Sequence, residues 1–160
     1  MSKIPQIGEL APAFNAVTQT ESPFSLSDLQ EKWVVLYFYP KDNTPGCTAQ
    51  AQEFTALLPE FQALNAEVVG VSPDSARSHA KFQTKHNLDI TLLADGQAIA
   101  DSYGVWQLKK MMGKEYMGIV RSTFVIDPTG KIAWSEIKVK AKGHAEKLLA
   151  ELKMIVAAKA

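Results

Sequence analysis

The sequence predicts an α/β sandwich in which a central mixed β-sheet is flanked by helices, and three observations carry that prediction. A near-continuous β-prone run, Trp33-Val34-Val35-Leu36-Tyr37-Phe38-Tyr39, has the pattern of a strand buried on both faces. Strand-like and helix-like segments alternate through the middle of the chain. The tail then reads as a hairpin followed by a helix.

The elements follow in order. Phe14 to Val17 and Phe24 to Leu26 are short strands around a polar stretch, Thr18 to Pro23. Pro40 ends the long apolar run, and residues 41–46 form a polar loop. From Cys47 the period changes: Cys47, Ala51, Phe54, Leu58 and Phe61 recur at steps of four and three, which predicts an amphipathic helix over residues 45–64. Pro59 lies inside it and is expected to kink or split it near Leu58. Glu67 to Val71 reads as a strand, Asp74 to His86 as a helix, and Ile90 to Leu93 as a short strand. A helical turn begins near Gln97 and continues to Val105. Thr123 to Asp127 and Lys131 to Ser135 are strands joined by the turn Asp127-Pro128-Thr129-Gly130. His144 to Val156 closes the chain as a helix, with Leu148, Leu149, Leu152 and Ile155 on one face. This order suits a thioredoxin-like sandwich.

Composition narrows the function. The chain has 160 residues, so residues 1–160 are expected to form one domain. Lys plus Arg and Asp plus Glu are both 17, and this charge balance gives no footing for nucleic-acid binding, which needs a basic excess. No run reaches the ~18 apolar residues of a membrane span, and Met1 to Phe14 lacks the apolar core of a secretory leader. A cytoplasmic location is the expectation. One cysteine, Cys47, can close no internal disulfide and build no cysteine-rich zinc site.

The stretch before that thiol carries the chemistry. Thr44 is a suitable N-cap and Pro45 suits the first helical position, so Cys47 falls in the first helical turn. Unpaired amides and the helix dipole favour a thiolate there. Gly46, having no side chain, leaves room for a ligand to approach. The same Cys47 also lies on the apolar stripe with Phe54 and Phe61, so spacing alone leaves a packed core thiol and a reactive one both open. Capping accounts fully for Thr44, strand termination for Pro40, and an edge position for Arg121. His79, His86 and His144 read as surface residues, and the spacing of His79 and His86 suits no shared metal site.

The segment Tyr37-Phe38-Tyr39-Pro40-Lys41-Asp42-Asn43-Thr44-Pro45-Gly46-Cys47-Thr48 resembles the peroxiredoxin active-site signature, in the form found in the bacterioferritin comigratory protein (peroxiredoxin Q) branch. The likeness continues through Gly8-x-x-Ala11-Pro12-x-Phe14, Gly70-Val71-Ser72-x-Asp74-Ser75, Tyr103-Gly104-Val105-Trp106, Met112-Gly113-Lys114 and Arg121-Ser122-Thr123-Phe124-Val125-Ile126-Asp127. The resemblance implies a thiol peroxidase with Cys47 as its peroxidatic cysteine. Thr44 and the Cys47 amide would hold the peroxide oxygens, Arg121 would stabilise the charged sulfur and the transition state, and Pro40 would exclude water. The product would be a Cys47 sulfenic acid. No cofactor or metal is implied. The partners would be a peroxide and an external thiol reductant (thioredoxin, glutaredoxin or a small thiol), and the protein would be a monomer or weak homodimer.

The chain departs from this pattern at its resolving position. Members of the branch carry a second cysteine five residues after the first, where Gln52 stands here, or on the next long helix, near Gln83. A one-cysteine variant is therefore expected. Gln50 replaces the Glu that orients the arginine in much of the wider family, so a neutral amide would have to do that work. A thiol–disulfide exchange protein would need a Cys-x-x-Cys pair, which is lacking. A peroxide sensor on the same fold is the alternative, distinguished by oxidising once without efficient turnover.

Overall fold

Every residue of β3 (Trp33–Phe38) is buried, and this strand is the middle of a five-stranded sheet ordered β5-β4-β3-β8-β9. The computed structural model describes residues 3–159, so Met1 and Ser2, at the start of the segment read as leader-free, lie outside the described residues. On one side β3 runs parallel to β4 (Ala66–Val71), which is parallel to β5 (Thr91–Leu93). On the other side β3 is antiparallel to β8 (Ser122–Ile126), which is antiparallel to β9 (Ile132–Ile137). The sheet is mixed, as expected.

The two-residue period of β3 builds two cores. Trp33, Val35 and Tyr37 point to the face covered by α1 (Pro45–Ala63) and α4 (His144–Lys159), where they meet Phe54, Phe61, Leu148 and Leu152. Phe82 of α2 (Ala76–His86) joins the same cluster. Val34, Leu36 and Phe38 point the other way, against Phe14, Tyr103 and the short α3 (Gln97–Ser102). Enclosing each such large side chain contributes about 1.5–3 kcal/mol, so the sheet that carries the site is held from both faces.

Two features differ from expectation. Helix α1 continues through Pro59, so the chain is not split there. Pro59 is exposed, while Phe54 and Phe61 on either side of it anchor both halves of the helix inside. A hairpin, β6 (Trp106–Met111) and β7 (Lys114–Ile119), stands beside the main sheet where no element was expected. Its two-residue turn has positive φ at both Met112 (52°) and Gly113 (80°), the geometry that matches strand twist. Leu108, Met111 and Met117 are exposed and Lys residues are interspersed, so no clean apolar face betrays these strands. The early hairpin, β1 (Asn15–Val17) with β2 (Pro23–Ser25), is where it was expected.

Candidate active site around Cys47

The carboxyl end of β3 passes through Tyr39 and Pro40 into a loop that feeds α1, and Cys47 sits in the first turn of that helix. Thr48 N–H donates to the Thr44 carbonyl at 2.8 Å and opens the helical ladder. The Gly46 and Cys47 amides precede that ladder. Thr44 occupies the N-cap with extended backbone (φ −85°, ψ 153°), but its hydroxyl does not cap. It donates to the Lys41 carbonyl at 3.0 Å instead. The capping role expected for this side chain is thus absent. The cap amides stay available, and the Thr44 oxygen keeps lone pairs to accept a further hydrogen bond.

Cys47 is 1% exposed, and its sulfur accepts a hydrogen bond from Arg121 Nη2 at 3.2 Å. Arg121 immediately precedes β8. Its carbonyl accepts from Val139 N–H at 2.8 Å, and the neighbouring Val120 N–H donates to Val105 at 2.9 Å, so its backbone is held from both sides. The other guanidinium nitrogen, Nη1, donates to Gln50 Oε1 at 2.5 Å. Gln50 is wholly buried on α1, one turn beyond Cys47, and its Nε2 has no partner among the described residues. The neutral amide does orient the arginine, without a carboxylate's charge.

Gly46 differs from expectation in an instructive way. A Cβ there would lie 3.3 Å from Arg121 Nη2 and 3.6 Å from Ala141 Cβ. The space the glycine leaves is taken by the guanidinium itself, so the missing side chain admits the arginine rather than a ligand.

The aromatic floor comes from β3. Tyr37 stacks on Phe54 at 4.7 Å between ring centroids and on Tyr39 at 5.5 Å. Burial, then the charges of Cys47 and Asp42, push the Tyr37 phenol well above its ordinary pKa, against a smaller opposing pull from Arg121. This phenol stays protonated. Lys109 on β6 reaches the Ile119 carbonyl at 2.9 Å. Partial burial and the Arg121 charge lower its pKa, and Cys47 opposes them.

The AhpC/TSA family profile matches residues 7–135. The chain belongs to that family. Within it, the chain is a peroxiredoxin of the Bcp (peroxiredoxin Q) branch, a thiol peroxidase with one cysteine. It is 48% identical to a putative peroxiredoxin bcp of Helicobacter pylori J99 over 148 residues, which is 92% of this chain and 97% of the relative. It is 47% identical to peroxiredoxin Bcp of Bacillus subtilis over 149 residues, 92% and 95% of the two chains. The solved structure of a PrxQ mutant from Xylella fastidiosa superposes with a TM-score of 0.88 at 40% identity, covering 94% of this chain and 96% of the other.

Of the residues expected in the peroxiredoxin site, the structure brings Cys47 and Arg121 into direct contact. Thr44 lies three residues before Cys47, at the start of the same helix, and half-buried Pro40 lies at the mouth of the loop. The histidines need correction. His79 is fully buried, with Nδ1 at 2.7 Å from Asp42 Oδ2, and His144 is 3% exposed with Nε2 at 2.8 Å from Thr123 Oγ1. Only His86 is partly open to solvent, against Asn43 Oδ1 at 3.0 Å. A signal for His79 was present in the sequence. Phe82 follows it by three residues on α2 and is also buried, so the two share the helix's inward face. Asp42, Asp74 and His79 also place one ligand-type atom each within 4.8 Å of the others. Asp42 and His79 already bond each other there, so a cation would have to displace the shared proton. Among the described residues no helix is long and apolar enough to cross a membrane.

Proposed function

We propose that Cys47 is the nucleophile of this thiol peroxidase, with Arg121, Thr44 and the Cys47 amide acting on the peroxide and Pro40 excluding water. The observation that carries this reading is the guanidinium of Arg121 bonded to a thiol enclosed at an unladdered helix start. The Cys47 thiolate attacks one peroxide oxygen, forming an S–O bond as the O–O bond breaks. The electron pair leaves on the distal oxygen, which takes a proton and departs as water or an alcohol. Charge grows on that oxygen in the transition state, where a preorganised cation and amide lower the barrier most. The Thr44 hydroxyl, having given its hydrogen to Lys41, accepts the peroxide O–H and orients the reacting oxygen.

The sulfenic acid left on Cys47 is reduced from outside, since the chain carries one cysteine. One external thiol condenses with it, releasing water and forming a mixed disulfide. A second thiol, or the second sulfur of a dithiol, attacks the mixed disulfide and returns the Cys47 thiolate. Hydrogen peroxide and alkyl hydroperoxides both suit this chemistry. A Xanthomonas campestris relative, 40% identical with a TM-score of 0.85, has been described for alkyl peroxide reduction. A cytoplasmic location fits a protein that needs thiol donors for turnover.

The test is peroxide consumption by the wild type and Cys47→Ser with excess dithiol. The wild type should cycle and the variant should be inactive. Consumption by Cys47→Ser at the wild-type rate would overturn the assignment.

A further inference from the structure

The loop that delivers Pro40, Thr44 and Cys47 is fastened to the rest of the protein at Asp42. The Asp42 amide donates to Asp74 Oδ2 at 2.8 Å, and the same oxygen accepts from the Ser72 hydroxyl at 2.7 Å. Asp42 Oδ1 accepts from the Tyr39 hydroxyl at 2.7 Å. Asp42 Oδ2 accepts from the Ser78 hydroxyl at 2.8 Å and lies 2.7 Å from His79 Nδ1. On its far side His79 Nε2 lies 2.8 Å from the Leu93 carbonyl. A carboxylate and a carbonyl both accept and neither donates. Both ring nitrogens must therefore carry hydrogen, which makes the ring an imidazolium. The ring is wholly enclosed, and its counter-charge Asp42 is 6% exposed.

Asp42 is also next to the residue that holds the Thr44 hydroxyl, because that hydroxyl donates to the Lys41 carbonyl. The chain of contacts runs from the Leu93 carbonyl through His79 and Asp42 to Lys41 and Thr44. We propose that His79 is a positioning residue of the peroxidase site, which as an imidazolium pins Asp42 and, through the Lys41 carbonyl, aims the Thr44 hydroxyl at the peroxide. The proposal rests on the Cys47 reading above and adds a residue that touches neither sulfur nor substrate.

The electrostatics around the ring agree with the geometry. Burial pulls the imidazole pKa down, but the Asp42 bond and charge, the Leu93 carbonyl and the Asp74 charge together raise it above the ordinary histidine value. Asp42 faces the ring from the loop, Asp74 from the segment after β4, and Tyr39 from the end of β3. Lys41, Arg77 and Lys81 line, with Asp42 and Asp74, the cleft on the outer side of this network. Below the raised value the ring is charged and the loop is pinned. As pH rises through it one proton is lost, and one of the two acceptors faces a lone pair. Peroxide oxidation of Cys47 should therefore fall on the alkaline side, whereas ionisation of a thiol nucleophile only makes the rate climb with pH.

The experiment measures Cys47 oxidation by stopped flow across about pH 6 to 10 for the wild type, His79→Gln and Ser78→Ala, with iodoacetamide alkylation as a reaction that needs no Thr44. The wild type should show a descending alkaline limb. His79→Gln, neutral at every pH, should lose that limb and oxidise about tenfold more slowly near neutrality, the scale of a sub-ångström misplacement, while alkylation stays within about twofold. Ser78→Ala, which removes one donor to Asp42 and leaves the ring, should keep the limb. Nitrogen NMR of the labelled wild type near neutral pH should show both ring nitrogens of His79 protonated. A neutral His79 tautomer, a wild-type profile with no descending limb, or equal loss of oxidation and alkylation in His79→Gln would each overturn the proposal. The NMR and the wild-type profile decide the matter even if His79→Gln fails to fold. Persistent turnover by Cys47→Ser would sink the nucleophile assignment instead, while leaving the His79 spectrum unchanged.

Discussion

Replacing Arg121 tests how much of the reactivity of Cys47 comes from one side chain. The guanidinium makes two bonds, to the Cys47 sulfur at 3.2 Å and to Gln50 Oε1 at 2.5 Å. The sulfur is 1% exposed with the guanidinium in place, and water filling the vacated space would bring neither the positive charge nor the fixed direction of that donor. Arg121→Ala should therefore slow the oxidation step by about 10²–10³, or roughly 2.7–4 kcal/mol of transition-state stabilisation. Folding stability should fall as well. Gln50 Nε2 already lacks a partner among the described residues, and the variant would strip the Arg121 donor from Oε1. Such a loss costs about 1–3 kcal/mol, which in a chain of this size lowers Tm by roughly 2–12 °C. Arg121→Lys keeps the charge but cannot reach both acceptors with one ammonium, and should recover only part of the rate. Stopped-flow oxidation of the reduced proteins, with thermal melts alongside, gives both quantities. A folded alanine variant that oxidises within about threefold of the wild type would refute the reasoning, because preorganised donors in enclosed sites do not vanish without such a loss.

Two further predictions concern the fold and the missing thiol. Burial, helped by the Lys147 and Arg121 charges against Glu136, lowers the His144 pKa to about 4. A depressed value means its stabilising contribution is full above about pH 6.5 and is lost as pH falls towards 4, up to about 3 kcal/mol; urea midpoints should drop over that window in the wild type but much less in His144→Gln, and equal acid sensitivity would contradict this account. Gln52 is exposed on α1, five residues past buried Cys47 and so about 8–9 Å away along an intact helix, beyond disulfide reach. Gln52→Cys treated with peroxide should nonetheless form a disulfide with Cys47 by unwinding the first turns of α1, and should resist sulfinic acid formation; mass spectrometry after graded peroxide finding no bond and wild-type overoxidation would show that the helix start does not open.

Local sequence was enough to read the frame of the site. β3, α1, α2 and the closing β8-β9-α4 unit appear with boundaries within a few residues, because a buried strand and an amphipathic helix each stamp their own period on the chain. The placement of Cys47 in a first helical turn follows from Thr44 and Pro45 alone. The hairpin β6–β7 escaped because its strands pair with each other and leave Leu108, Met111 and Met117 in solvent, so burial imposes no alternation on them.

What the sequence by itself determined was the class of fold, the place of the one thiol at a helix start and the family signature around it. These are properties of near neighbours along the chain. Tertiary structure decided which polar groups lose their water and what they meet when they do. Arg121 reaches Cys47 across 74 positions, and His79 reaches Asp42 across 37. Thr44 turns its hydroxyl to Lys41 rather than to its own helix, and Gly46 proves to be the gap that admits a guanidinium. A histidine on a polar helix looks like a surface residue until the sheet behind it supplies a carbonyl and the loop beside it a carboxylate. Burial alone would favour the neutral ring, and the carboxylate and carbonyl outweigh it, because only a ring with two hydrogens satisfies two acceptors.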